Sequence, residues 1–221
     1  MHTVSRFLLP VVALMLASAF CRAGDAWRLP ADAPLLTPWS AKVDPAKPLP
    51  DYPRPIMTRK EWLNLNGLWG YELPSTLDAP PFGKDLPSQI LVPFPVESAL
   101  SGVMKRADRI WYRRMFSVPK AWAGKRVLLH FGAVDWESVV FVNGARVGTH
   151  RGGYDPFSFD ITAALKPAGE QEIVVGVHDP SDAGDQPRGK QVRKPGGIWY
   201  TPCTGICQSG PSEMKRAVPV R

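Results

Sequence analysis

Between residues 58 and 206, apolar and polar positions alternate in short runs instead of recurring at helical spacing. In KRVLLHFGAV, Val127, Leu129 and Phe131 fall on one face, while Leu128 and His130 face the other way. That period of two is what a half-buried strand requires. EQEIVVGVHDP places Ile173, Val175 and Val177 on one face in the same manner. RIWYRRMFSV alternates less cleanly but is rich in strand-forming residues. SVVFVNGARVG carries the clearest local signal, because two β-rich runs flank Asn143-Gly144. That pair suits a two-residue hairpin, whose central positions both need positive φ. LWGYEL, SQILVP, YDPFSFDI and GGIWYTPCTGICQ supply shorter strand signals. Helix is predicted only in fragments. Asp160 can cap a single turn, and the Thr58 to Glu61 spacing of a capping box predicts one or two turns that end at Asn66-Gly67. The pattern gives roughly seven or eight short strands joined by turns, an all-β single domain of the sandwich type.

Composition supports that architecture and adds two flanking segments. The chain has 24 prolines among 221 residues, which disfavours long helices, and its 44% hydrophobic content is enough for a folded core. Residues 1–23 combine a basic start with an apolar run too short to span a bilayer and small residues at Ala17, Ala19 and Ala23. This is the pattern of an export leader. The mature chain is therefore expected in the periplasm or outside the cell, with no membrane partner once the leader is removed. Residues 24–57 are proline-rich and aperiodic, and they read as an extended arm lying on a domain, or as a linker.

Formal charge is +7, but the basic residues are interspersed with acids, and export argues against nucleic acid as a partner. Cys203 and Cys207 stand four residues apart with no histidine nearby, so they form no zinc motif; their geometry for a disulfide is doubtful. No cofactor motif is present. Asp179 and Asp182 could contribute to a calcium site, but an Asx turn beside Pro180 accounts for them more simply. Asp135 is expected to bind turn amides. His130 and His178 are read as strand residues, and His150, beside Gly152-Gly153, as a structural residue too.

The ordered motifs WLNLNGLW, VPFPVES, IWYRRMF, LLHFGAVDWESVVFVNGARVGTHRGGYDPFSFDIT, EQEIVVGVHDPSD, QPRGKQ and GIWYTPCTGI resemble the N-terminal sugar-binding domain of glycoside hydrolase family 2. The resemblance covers residues 58–206. It implies a jelly-roll β-sandwich like the galactose-binding domains, followed in complete enzymes by an immunoglobulin-like domain and a catalytic (β/α)8 barrel. It also implies a β-galactoside-like carbohydrate as partner.

The family's two catalytic glutamates belong to the barrel, one of them in an Asn-Glu pair. Here Asn64, Asn66 and Asn143 precede Leu, Gly and Gly, so no catalytic residue transfers. All seven glutamates are expected to be solvated surface groups. The candidate sugar-facing edge is Gln186, Arg188, Lys190, Gln191 and Trp199, where amides and guanidinium match paired hydroxyls and indole stacks on a sugar face. A domain interface is the competing role for this cluster. From Cys207 onward the polar, basic sequence departs from the family's closing strand. Residues 207–221 are therefore expected to be an atypical tail that leaves the last strand unfinished, as in a truncated or frameshifted product. The alternative function is a stand-alone carbohydrate-binding module.

Overall fold

Strand signals along the chain become eleven strands in the computed structural model, which describes residues 27–49, 61–209 and 212–215. They are β1 (Trp62–Leu63), β2 (Gly67–Glu72), β3 (Ser88–Val92), β4 (Arg109–Phe116), β5 (Arg126–Asp135), β6 (Glu137–Val142), β7 (Ala145–Arg151), β8 (Phe157–Asp160), β9 (Gln171–His178), β10 (Gly205–Ser209) and β11 (Ser212–Lys215). Six of them form one antiparallel sheet in the order β3-β2-β4-β9-β6-β7. The second sheet is built around β5, with β8 along one side and β10 and β11 end to end along the other. β1 pairs with β11 at the margin.

The two sheets share a core, to which Ile173, Val175 and Val177 contribute from β9 and Val127, Leu129 and Phe131 from β5. Both faces predicted from alternation are the ones turned to this core, although in β9 Val174 of the other parity is buried too. Each such side chain contributes about 1.5–3 kcal/mol on leaving water. Leu128, of opposite parity, is also buried but lies outside this cluster.

The Asn143-Gly144 hairpin forms as the pattern requires, joining β6 to β7 with φ of 50° and 82°. Asn143 does more than accept a left-handed backbone. Its Nδ2 donates to Ala164 O and Gln171 Oε1, each at 2.8 Å, and its Oδ1 accepts from Glu172 N at 2.9 Å. Asn143→Gly keeps the backbone conformation and removes these bonds. We expect a loss of about 1–2 kcal/mol, read as a shift in the urea midpoint.

Asp160 stands one residue ahead of the cap position, which is Ile161; its Oδ1 still accepts from Thr162 N at 3.0 Å at the start of the 3-10 turn Thr162–Ala164. Two other expectations are overturned. The capping-box helix does not form over Trp62–Leu63, which is a strand paired with β11. Backbone pairing to β11 outweighs the weak local helical signal, and an Asx turn follows, with Asn66 N donating to Asn64 Oδ1 at 2.8 Å. Thr58 lies outside the described residues, as do residues 1–23, where an export leader is expected. The last strand also does not stop at Cys207. β10 runs to Ser209 and β11 resumes at Ser212, both antiparallel to β5. Ladder hydrogen bonds use backbone groups alone, so a polar sequence can still complete the edge.

The described part of the arm lies against the sandwich. Trp27 Nε1 donates to Leu100 O at 3.1 Å, and Asn66 Nδ2 donates to Pro48 O at 3.3 Å.

Candidate functional site

β9 ends at His178 and β10 begins at Gly205, and the long crossing between them is suspended from three acids. Asp179, 1% exposed, accepts from Ser181 N at 2.7 Å through Oδ1, the Asx turn expected there, and from Thr204 Oγ1 at 2.8 Å through Oδ2. Glu97 Oε2 accepts from the backbone N–H of the same Thr204 at 2.9 Å. The fully buried Thr204 is thus gripped by two carboxylates just before the strand starts.

Asp135 closes β5 and holds the middle of the crossing. It does not bind turn amides, the role expected for it. Its Oδ2 accepts from Gln191 Nε2 at 3.0 Å, while Gln191 Oε1 accepts from Cys203 N at 2.5 Å. Gln191 Nε2 also reaches Tyr154 Oη at 3.3 Å. Gly153 makes room for this arrangement, since a Cβ there would come within 2.4 Å of Asp135 Oδ1.

Burial pushes Glu97 up to about 7, against the opposing hydrogen bonds from Thr204, and the Asp179 charge adds to the rise. Burial likewise pushes Asp135 up to about 6, with the Gln191 bond opposing and Asp179 again reinforcing. Cys203 and Cys207 are free thiols, each raised chiefly by burial, so neither is poised as a nucleophile. Cys207 Sγ donates to Cys203 O at 3.3 Å and to Gly205 O at 3.2 Å.

The exposed surface of the crossing is aromatic and cationic. Trp199 is 41% exposed and Tyr200 64%. The Arg188 guanidinium stands 5.9 Å from the Trp199 ring centroid, and Lys190 Nζ stands 5.9 Å from that of Tyr200. Paired backbone bonds set this geometry: Tyr200 N donates to Lys190 O at 2.8 Å, and Val192 N donates to Tyr200 O at 3.0 Å.

The predicted edge therefore divides in two. Arg188, Lys190 and Trp199 sit on the outer surface with Tyr200. Gln191 is a tie whose amide is spent on Asp135, Tyr154 and Cys203 N. Gln186 turns back on its own loop, donating to Ser181 O at 2.5 Å. Asp182 Oδ1 accepts from Arg193 N at 3.1 Å, and no group of three metal-capable side chains occurs among the described residues.

The expectation that all glutamates are solvated is overturned at two positions. Glu172 is 8% exposed, paired with Arg113 at 2.6 Å and accepting from Gly83 N at 2.8 Å. Glu97 has one buried oxygen on Thr204 and another, Oε1, buried without a partner. Sequence reasoning missed Glu97 because its partner is more than a hundred residues away. Tyr154 was visible beside Gly153, but nothing local linked it to Gln191.

The result is a two-sheet antiparallel β-sandwich domain that hangs an aromatic, cation-flanked edge from buried carboxylates. The chain belongs to glycosyl hydrolases family 2, as a sugar binding domain matched over residues 51–188. It is 30% identical to a β-glucuronidase of Paenibacillus borealis over 135 residues, covering 58% of this chain and 22% of that protein. It is 40% identical to a β-galactosidase of Thermoanaerobacter pseudethanolicus over 77 residues, covering 35% of this chain and 10% of that protein. The chain thus spans about a fifth or less of the length of these relatives. The crystal structure of a Bacteroides uniformis β-glucuronidase shares the fold, with a TM-score of 0.55 at 21% identity over 69% of this chain and 18% of that one.

Proposed function

We propose that this chain is the carbohydrate-binding part of an exported family 2 glycosidase of β-galactosidase type, with bond cleavage carried by residues outside these 221. The observation that carries the proposal is the outward platform of Trp199 and Tyr200, with Arg188 and Lys190 held beside it. Flat aromatic faces match the C–H face of a pyranose, and the neighbouring cations donate to its hydroxyls. The carboxylates beneath are occupied in holding the loop, which suits support of a site better than acid–base work. In a complete enzyme the immunoglobulin-like and barrel domains would be the partners of this edge.

The test is titration of the chain with methyl β-galactoside, followed by line broadening of indole N–H signals. Binding in the millimolar range is expected, and Trp199→Ala should weaken it at least fivefold. No hydrolysis of a nitrophenyl galactoside is expected from the purified chain, and turnover would place catalysis within it. Equal binding by the Trp199→Ala variant would remove the edge from consideration. A stand-alone binding module is favoured by one observation, the pairing of β10 and β11 with β5. Micromolar affinity of the chain by itself would select that reading.

A further inference from the structure

The outer face of the six-stranded sheet holds a second hollow, which shares no residue with the Trp199 edge. Its volume is about 450 Å³, walled by Leu77, Asp78 and Pro80 from the segment after β2 and floored by Val139, Phe141 and Gly176. This size falls in the range of small-ligand sites.

Strand register explains the floor and the rim. Trp111, Gly176, Val139 and Thr149 are aligned across β4, β9, β6 and β7, so the row is low where glycine and valine stand. A Cβ on Gly176 would meet the Trp111 ring at 2.5 Å, so the indole occupies the room that a side chain would take there. The adjacent row aligns Arg109, His178, Glu137 and Arg151. Arg146 lines the opposite end of the hollow.

The charges on this rim are unequal in their commitments. Glu137 is engaged by Arg151 at 3.0 Å. Arg109 and Arg146 meet no carboxylate among the described residues. Two uncommitted guanidiniums therefore border an apolar floor, with the exposed Asp78 as an acceptor on the facing wall. A guanidinium binds a carboxylate through two parallel hydrogen bonds, a geometry that few neutral ligands satisfy. The apolar floor suits the C–H face of a sugar ring, and Asp78 suits its hydroxyls.

We propose that this hollow is a binding site for a short acidic saccharide, one or two pyranose units bearing a carboxylate. Arg109 and Arg146, at opposite ends of the hollow, each present a guanidinium that can take a carboxylate, and Val139, Phe141 and Gly176 form the surface beneath the ring.

Calorimetric titration of the 221-residue chain with digalacturonate, and with uncharged cellobiose, tests this. Digalacturonate should bind at least tenfold more tightly than cellobiose. The Arg109→Gln/Arg146→Gln variant should weaken digalacturonate at least tenfold, and so should Thr149→Trp, which fills the hollow from an exposed position. Trp199→Ala should leave this binding unchanged, whatever it does to the galactoside titration. The proposal is overturned by any of three results: no digalacturonate binding at millimolar concentration, equal affinity for cellobiose, or parental affinity in either hollow variant while its circular dichroism remains that of the parent. Loss of binding in Trp199→Ala would move the ligand to the other edge and also overturn it.

Discussion

Gly205→Ala is expected to lower the melting temperature by roughly 6–12 °C, a large penalty for one methyl group. Gly205 has φ of 97°, a conformation that costs an alanine on the order of 1–2 kcal/mol. The added Cβ would also stand 1.9 Å from Tyr112 Oη and 3.4 Å from Val96 Cγ2. Tyr112 cannot retreat, because it is fully buried and packed edge-on against Trp69 at 6.4 Å between ring centroids. Its hydroxyl also accepts from Ile206 N at 3.3 Å, which fixes the start of β10. Overpacking of this kind costs about 1–3 kcal/mol, so the combined effect is about 3 kcal/mol.

Gly124→Ala serves as the control. Its φ is 71°, but nothing lies within 4 Å of an added Cβ, so only the backbone strain of about 1 kcal/mol applies. Thermal melts of both variants decide the matter. Equal losses would show that Gly205 does not make the close approach to Tyr112.

The contrast between these glycines also shows what could be read from sequence. Alternation placed Val127, Leu129 and Phe131 in the core because side-chain parity is a local property of a strand. Asn143-Gly144 was legible for a similar reason, since turn chemistry involves neighbouring residues. Gly205, Glu97 and Gln191 were not legible in their actual roles. Each acts on a partner brought near by the sheet pairing: Tyr112, Thr204 and Asp135 respectively. The candidate edge was recognised as a stretch of sequence, but its division into outward Trp199 and inward Gln191 depended on that pairing. Long-range pairing also explains the misjudged capping box, because β11 lies about 150 residues beyond β1.

Stability should rise as the solution is acidified from pH 8 to pH 5, and Glu97→Gln should remove much of that rise. Glu97 titrates near 7 in the fold, against an ordinary value of 4.5, because burial disfavours its charge. In the interval between these values the folded chain holds a proton that the unfolded chain has released. Stability from this group is therefore complete below about pH 4.5 and lost as pH climbs through 7. Allowing for its partial contact with solvent, the swing is about 2 kcal/mol. Asp135, raised to about 6, acts in the same direction over a lower interval. Glutamine mimics the protonated acid and keeps an oxygen for Thr204 N. Glu97→Gln should thus be more stable than the parent at pH 8 by about 2 kcal/mol and nearly equal to it at pH 5. The remaining slope should belong to Asp135 and shrink further in the double variant with Asp135→Asn. Urea midpoints at pH 5, 6, 7 and 8 provide the readout. A parent whose stability is flat or increases across that range would mean that these carboxyls are solvated and that the crossing is held by its backbone bonds alone.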